Sequence, residues 1–203
     1  MFNEGDCHWF PMRIRNSSLP RLEKLVTYFE EQKKRLEDKN VILETYVPLN
    51  FIRVSMTKMD FAPYLLNYIF VRSTFKDLVE IKKNQELFEP LRFVMHPVYD
   101  DKFDRRDEVL FIPNKKMEDY KRITAEENEK VIFLENLDYA CKPSMAVQII
   151  GGEFTGVIGR IKRIKGRRSV VLPIGREMAA AVVDVPNSYL RYLTEEDLMK
   201  MVD

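Results

Sequence analysis

The chain of 203 residues is short of the side chains that most catalytic and metal chemistries need. It has two cysteines, Cys7 and Cys141, and two histidines, His8 and His96. These cannot supply a CxxC pair or a second close pair of ligands, so no metal is assigned. Cys141 has no histidine near it in sequence, and neither a Gly-x-Ser-x-Gly elbow nor a paired-carboxylate motif occurs. The chain therefore does not read as an enzyme, and no cofactor is implied. Apolar runs approaching about 18 residues are missing, as is a signal-peptide core, which leads to the expectation of a cytoplasmic, reduced protein with no membrane contact. Net charge is nearly absent as well: 33 basic residues stand against 32 acidic ones. Such a balance excludes coating of nucleic acid by bulk electrostatics and leaves only local basic patches. With 45% hydrophobic residues, the chain can bury the core of one large or two small domains.

Glycine is sparse too, yet four of the seven glycines fall in one stretch, Val147 to Ile161, V-Q-I-I-G-G-E-F-T-G-V-I-G-R-I. Gly151, Gly152, Gly156 and Gly159 let a strand reverse sharply and cross another, with Phe154 plugging a small core. A phosphate-binding loop would need Gly-Lys-Ser/Thr and a following helix, and a dinucleotide fingerprint would also open a helix. The residues after Gly159 are instead strand-like: Arg160 to Lys165, a Gly166-Arg167-Arg168 turn, and the β-branched run Ser169 to Ile174, together a hairpin. Arg160, Lys162, Arg163, Lys165, Arg167 and Arg168 form the densest basic cluster in the chain. A buried strand at Ala179 to Val185 with a proline stop ends this part, and Thr194 with Asp197 predicts a capped helix over 195–201.

The N-terminal half alternates differently. Cys7 to Arg15 reads as a strand, with Pro11 predicting an edge or a bulge. A helix follows from Ser17 or Ser18, with Leu22, Leu25, Val26, Phe29 and Leu36 on one face and the charged run 30–35 on the solvated side. Glu44 to Pro48 is a short strand, 51–61 a hairpin or loop, and Tyr64-Leu-Leu-Asn-Tyr-Ile-Phe-Val71 a continuous apolar strand expected at the sheet centre. A helix over 75–84, capped by Ser73 or Thr74, a strand at Leu91 to Val94, a charged loop over 100–107 and a helix over 113–123 complete an α+β sandwich. The boundaries this gives are a first domain over 1–123, a linker over 124–139 and a C-terminal domain over 140–203.

The glycine stretch resembles a KOW motif, Gly152-Glu-Phe154-Thr-Gly156-Val-Ile-Gly159, found in small SH3-like β-barrels of ribosomal proteins and of the NusG family of transcription elongation factors. Taken with Trp9-Phe10, Tyr46-Val-Pro48 and the 64–71 strand, the whole chain resembles the NusG family: an N-terminal NGN α/β sandwich with an antiparallel sheet, then a C-terminal KOW barrel. Where housekeeping members carry Pro-Gly in the aromatic strand, Leu66 and Asn67 stand here, a departure more similar to the specialised RfaH-like and UpxY-like paralogs that serve surface-polysaccharide operons.

The resemblance implies a monomeric antitermination or elongation factor whose NGN domain binds the clamp helices of the largest RNA polymerase subunit and suppresses pausing or termination. It places Tyr64 and Leu65 at the groove-forming positions, with Trp9, Phe10, Tyr46 and Tyr68 as further candidates. Non-template DNA or leader RNA is a second implied partner, for which Arg13, Arg15, Arg21, Lys24 and Arg72 supply charge. For the barrel, the family implies protein contacts such as a ribosomal protein or the terminator Rho, and the residues themselves do not choose among these, RNA and solvent. A KOW-type RNA- or ribosome-binding protein is the alternative reading of the whole chain.

Overall fold

The structure is a computed structural model describing residues 5–15, 17–36, 41–53, 59–63, 67–83, 91–99, 104–124, 130–135, 145–174 and 178–199. The chain divides into two compact units, Met1–Asn114 and Lys115–Asp203.

In the first unit, β1 (Cys7–Ile14), α1 (Leu19–Leu36), β2 (Glu44–Tyr46), β5 (Tyr68–Thr74), α2 (Phe75–Lys83) and β6 (Leu91–Phe93) build a four-stranded antiparallel sheet of order β2-β5-β1-β6 with two helices. Two ribbons belong to the same unit: β3 (Leu49–Arg53) with β4 (Met59–Pro63), and β7 (Met95–Tyr99) with β8 (Arg105–Val109). Strand alternation sends Phe10, Met12 and Ile14 of β1 and Ile69 and Val71 of β5 to one face. There they meet Leu22, Leu25 and Phe29 of α1 and Leu78 of α2 in a single apolar cluster. Each such side chain contributes about 1.5–3 kcal/mol on burial, enough to fix both helices on that face. α2 begins with a reciprocal cap: the Asp77 amide donates to Thr74 Oγ1, and the Thr74 hydroxyl donates to Asp77 Oδ2 at 2.7 Å.

Three expectations change here. Pro11 does not put β1 at an edge, because β1 lies between β5 and β6. The Pro11 carbonyl accepts from Val94 N, so its missing N–H faces the side where the β6 ladder stops at Met12 and Ile112 takes over by bridging Trp9. The β5 ladder on the other side is intact. The apolar strand starts at Tyr68 with Asn67 in a turn, and residues 64–66 lie outside the described residues. β5 is an interior strand, as its apolar content predicts. The segment 100–107 is not all loop: Arg105–Val109 is a strand whose charges pair along each face, Arg105 with Asp107 and Arg106 with Glu108. The exposed start of this strand, Arg105 to Asp107, carries only charged side chains, so its sequence looks like a loop.

The second unit contains α3 (Asn114–Thr124), β9 (Val131–Glu135), β10 (Ala146–Ile149), β11 (Ile158–Ile164), β12 (Arg167–Pro173), β13 (Met178–Val183), a 3-10 turn at Asn187–Tyr189, β14 (Leu190–Tyr192) and α4 (Glu195–Met199). Six strands make an antiparallel sheet of order β14-β10-β11-β12-β13-β9. The boundary is thus earlier than a linker at 124–139 requires. From Lys115 onward α3 belongs to this unit, and Val131–Glu135 is a strand paired with β13. The Tyr120 ring of α3 meets Phe133 of β9 edge-on at 6.2 Å, an apolar tie that the polar residues between them conceal in the sequence. β14 and its preceding 3-10 turn have no counterpart in the sequence reading. At α4, Thr194 and Asp197 exchange backbone-to-side-chain hydrogen bonds of 2.9 and 3.2 Å, the reciprocal cap that their spacing predicts.

Candidate functional site

The helix-covered sheet in the first unit leaves an opposite face. Register pairs Trp9 with Arg72, Pro11 with Phe70, Arg13 with Tyr68 and Tyr46 with Phe70, so all seven side chains share it. Trp9, Tyr46 and Tyr68 are therefore brought together, and Phe70 of the same apolar stretch joins them. Phe10 does not join them: it points to the helices at 0% exposure and is a core residue. Trp9, Tyr68 and Phe70 are 3%, 2% and 0% exposed, so none can itself be touched by a partner in this conformation. Tyr46, half-buried on the outer strand β2 with its ring 6.5 Å from Phe70, is the aromatic candidate within reach. Tyr64 and Leu65 lie outside the described residues.

Arginines collect at one end of this sheet. Arg13 and Arg92 are directly opposite across β1 and β6, and both line a cleft of about 540 Å³ with Ile14, Arg15, Ser17 and Asn67. The Arg13 guanidinium lies 5.8 Å from the Tyr68 ring centroid, a cation–π contact that holds the side chain in place. Arg21 donates to the Arg15 carbonyl at 2.8 Å and so stands at the same end. The Lys82 ammonium is held below its ordinary value by burial and then by Arg92, a mark of the positive field here.

The other two predicted cations are elsewhere. Lys24 lies in a groove of α1 with Pro20, Glu23, Thr27, Tyr28 and Glu31, where carboxylates offset it. Arg72 is bound to Glu44 at 2.6 Å. Arg92 was missing from the sequence reading, since only the pairing of distant strands places it beside Arg13.

In the second unit the glycines do what their spacing suggests. Gly152 and Gly156 have φ of 80° and 92°, the left-handed region that glycine tolerates. The turn closes with Gly156 N donating to Ile149 O at 2.6 Å and Ile149 N to Val157 O at 2.9 Å, and Phe154 is buried inside. Gly159 answers a different need: a Cβ there would stand 2.6 Å from the Val171 carbonyl oxygen. The following hairpin turns at Lys165-Gly166, with φ of 49° and 80°, so Arg167 and Arg168 belong to β12 rather than to the turn.

The basic cluster is not one patch. Arg167 is bonded to Asp184, and the pair raises the arginine and lowers the carboxylate. Arg160 lies near Lys116 of α3, whose ammonium is lowered by burial first and Arg160 second. Arg163 and Arg168 oppose each other across β11 and β12. Among the described residues, no cluster of three or more His, Cys, Asp or Glu is placed to hold a metal ion, and no helix is long and apolar enough to cross a membrane.

No family model matches the chain, and no curated protein does. Among solved structures it is similar to one of NusG from Thermotoga maritima, "Domain interaction in Thermotoga maritima NusG". The likeness is 17% identity over 95% of this chain and 100% of that one, with a TM-score of 0.46.

Proposed function

We propose that the chain is a transcription elongation or antitermination factor of the NusG type, specialised for particular operons, that binds RNA polymerase through its first unit and suppresses pausing or termination. The observation that carries this reading is the glycine stretch. Its KOW-like spacing coincides with positive φ at Gly152 and Gly156 and with a strand crossing at Gly159 that leaves no room for a side chain. Support from the first unit comes from the sheet itself: helices cover one face, and the other carries an aromatic row that reaches Tyr46 at the edge.

On this reading the polymerase clamp helices dock at the β2 edge, using Tyr46, with Tyr64 and Leu65 as the anchors that the family resemblance implies. An apolar groove receiving an amphipathic coiled coil draws its affinity from a few buried aromatic and aliphatic anchors. The arginine cleft lined by Arg13, Arg15 and Arg92 holds the exposed DNA strand or the nascent RNA, its guanidinia taking phosphate oxygens. Arg21 stands beside it, while Lys24 and Arg72 take no part.

The test is binding of the full chain to purified RNA polymerase elongation complexes, with Leu65→Asp beside it at the same salt. Loss of binding by the variant, with an unchanged circular-dichroism melt, is the expected result. Equal binding by both chains removes the groove, and no binding by either removes the polymerase reading. The KOW-type RNA- or ribosome-binding alternative then stands, with co-sedimentation with ribosomal subunits as its sign.

A further inference from the structure

The six cations of the C-terminal cluster sort themselves by their neighbours. Arg167 is neutralised by Asp184. Arg160 has Lys116 beside it. Lys162 is partly buried and directly opposite Ser169. The remaining three lie at the far end of the β11–β12 hairpin: the exposed Arg163 opposite the partly buried Arg168, and the exposed Lys165 in the turn. Among the described residues, none of these three is paired with a carboxylate.

Directly opposed residues of an antiparallel pair project from the same face with Cβ atoms about 4.5–5.5 Å apart, and like charges there repel. A hairpin that needed only to fold would gain from an acid at either position. The same geometry brings two arginine side chains to one face of a ribbon, and each guanidinium can donate two hydrogen bonds to a phosphate.

We propose that the tip of the β11–β12 hairpin binds the phosphodiester backbone of a nucleic acid, with Arg163 and Arg168 sharing one stretch of phosphates and Lys165 adding a third charge. No aromatic side chain belongs to the tip, so it reads phosphate and not base sequence. The contact is separate from the arginine cleft in the first unit and stands on different residues.

The experiment measures binding of the full chain to two 12-nucleotide single strands of the same mixed sequence, one RNA and one DNA, over 50–300 mM KCl. Each neutralised phosphate of a single strand contributes about 0.7 to the slope of log K against log salt, so the double variant Arg163→Gln/Arg168→Gln should lower the slope by about 1.4. Arg167→Gln/Asp184→Asn, which removes a cation together with the carboxylate bound to it, should leave the slope as it is.

Arg168→Glu guards against a trivial loss of fold, because it replaces the like-charge pair with an opposite-charge one. Its melting temperature should hold or rise while its affinity falls. Equal losses on RNA and DNA mean that phosphates alone are read, and a loss on RNA only assigns the site to RNA. An unchanged slope in the double variant overturns the proposal. So does competition by polyglutamate as effective as that by the nucleic acid, which would make the ligand an acidic protein surface.

Discussion

Gly159 is the position where the KOW-like reading can be broken by a single methyl group. A Cβ built there lies 2.6 Å from Val171 O, 2.7 Å from Val170 Cγ1 and 3.0 Å from the Val171 carbonyl carbon. Two of those three atoms are backbone of the neighbouring strand, so no rotamer change relieves them and the β11–β12 ladder must shift. Overpacking of this kind costs about 1–3 kcal/mol, and contact with backbone belongs in the upper part of that range. A loss of about 2 kcal/mol accelerates exchange through local opening by roughly thirtyfold, at 1.36 kcal/mol per factor of ten. The assay is hydrogen exchange of the full chain, followed in peptides covering β10 to β12 in Gly159→Ala. Gly166→Ala is the comparison: no atom lies within 4 Å of its would-be Cβ, and only its φ of 80° opposes a side chain, at about 1 kcal/mol. Exchange should quicken clearly more in Gly159→Ala than in Gly166→Ala. Equal acceleration, or none at Gly159, would refute the claim that close strand approach is what the last glycine of the motif serves.

Asp119 gives a pH dependence of definite sign. Burial raises its pKa above 3.8 despite Lys115 at 3.8 Å and Arg122 at 3.2 Å. A folded-state value above the unfolded one stabilises most below the unfolded pKa, and that contribution is lost as pH rises through the folded value. The stability of Asp119→Asn relative to the unmodified chain should therefore climb from pH 3.5 towards neutrality in urea titrations, and a flat difference would contradict the burial argument. Cys7 is a second case: burial raises its thiol pKa, with Arg72 opposing. In a Cys141→Ser background, iodoacetamide at pH 8 should alkylate Cys7 more slowly than a free thiol, and Arg72→Ala should slow it further. Alkylation at the free-thiol rate would show that the site is open.

The glycine turn, the caps at Thr74 and Thr194 and the central apolar strand were legible because each depends on residues within a few positions of one another. The division of β1 and β5 between two faces was not. Phe10 and Trp9 are both bulky and apolar, and a strand buried on both sides gives alternation no polar face by which to fix its phase. Only pairing with β6 and packing under α1 and α2 send Phe10 inward. The domain boundary failed for a related reason. Between 124 and 139, charged residues surround a five-residue strand of which four are apolar, and average polarity outweighs Val131–Glu135 unless its partner β13 is known.

Arg92 marks the same limit at the site. Alone it is one more surface cation, and its meaning comes from standing on β6 directly opposite Arg13 of β1, where both line a cleft. The near-zero net charge of the chain is thus a poor guide to what its surfaces bind. Carboxylates are matched to cations at Arg72, Arg105, Arg106, Arg122, Arg167 and Arg191. Strand register also sets two arginine pairs side by side, Arg13 with Arg92 and Arg163 with Arg168. The first pair borders a concavity with Ser17 and Asn67, groups that can hydrogen-bond a base edge as well as a phosphate. The second stands at the end of the β11–β12 hairpin beside the exposed Lys165. In both pairs strand register, and not the net charge of the chain, sets the local field.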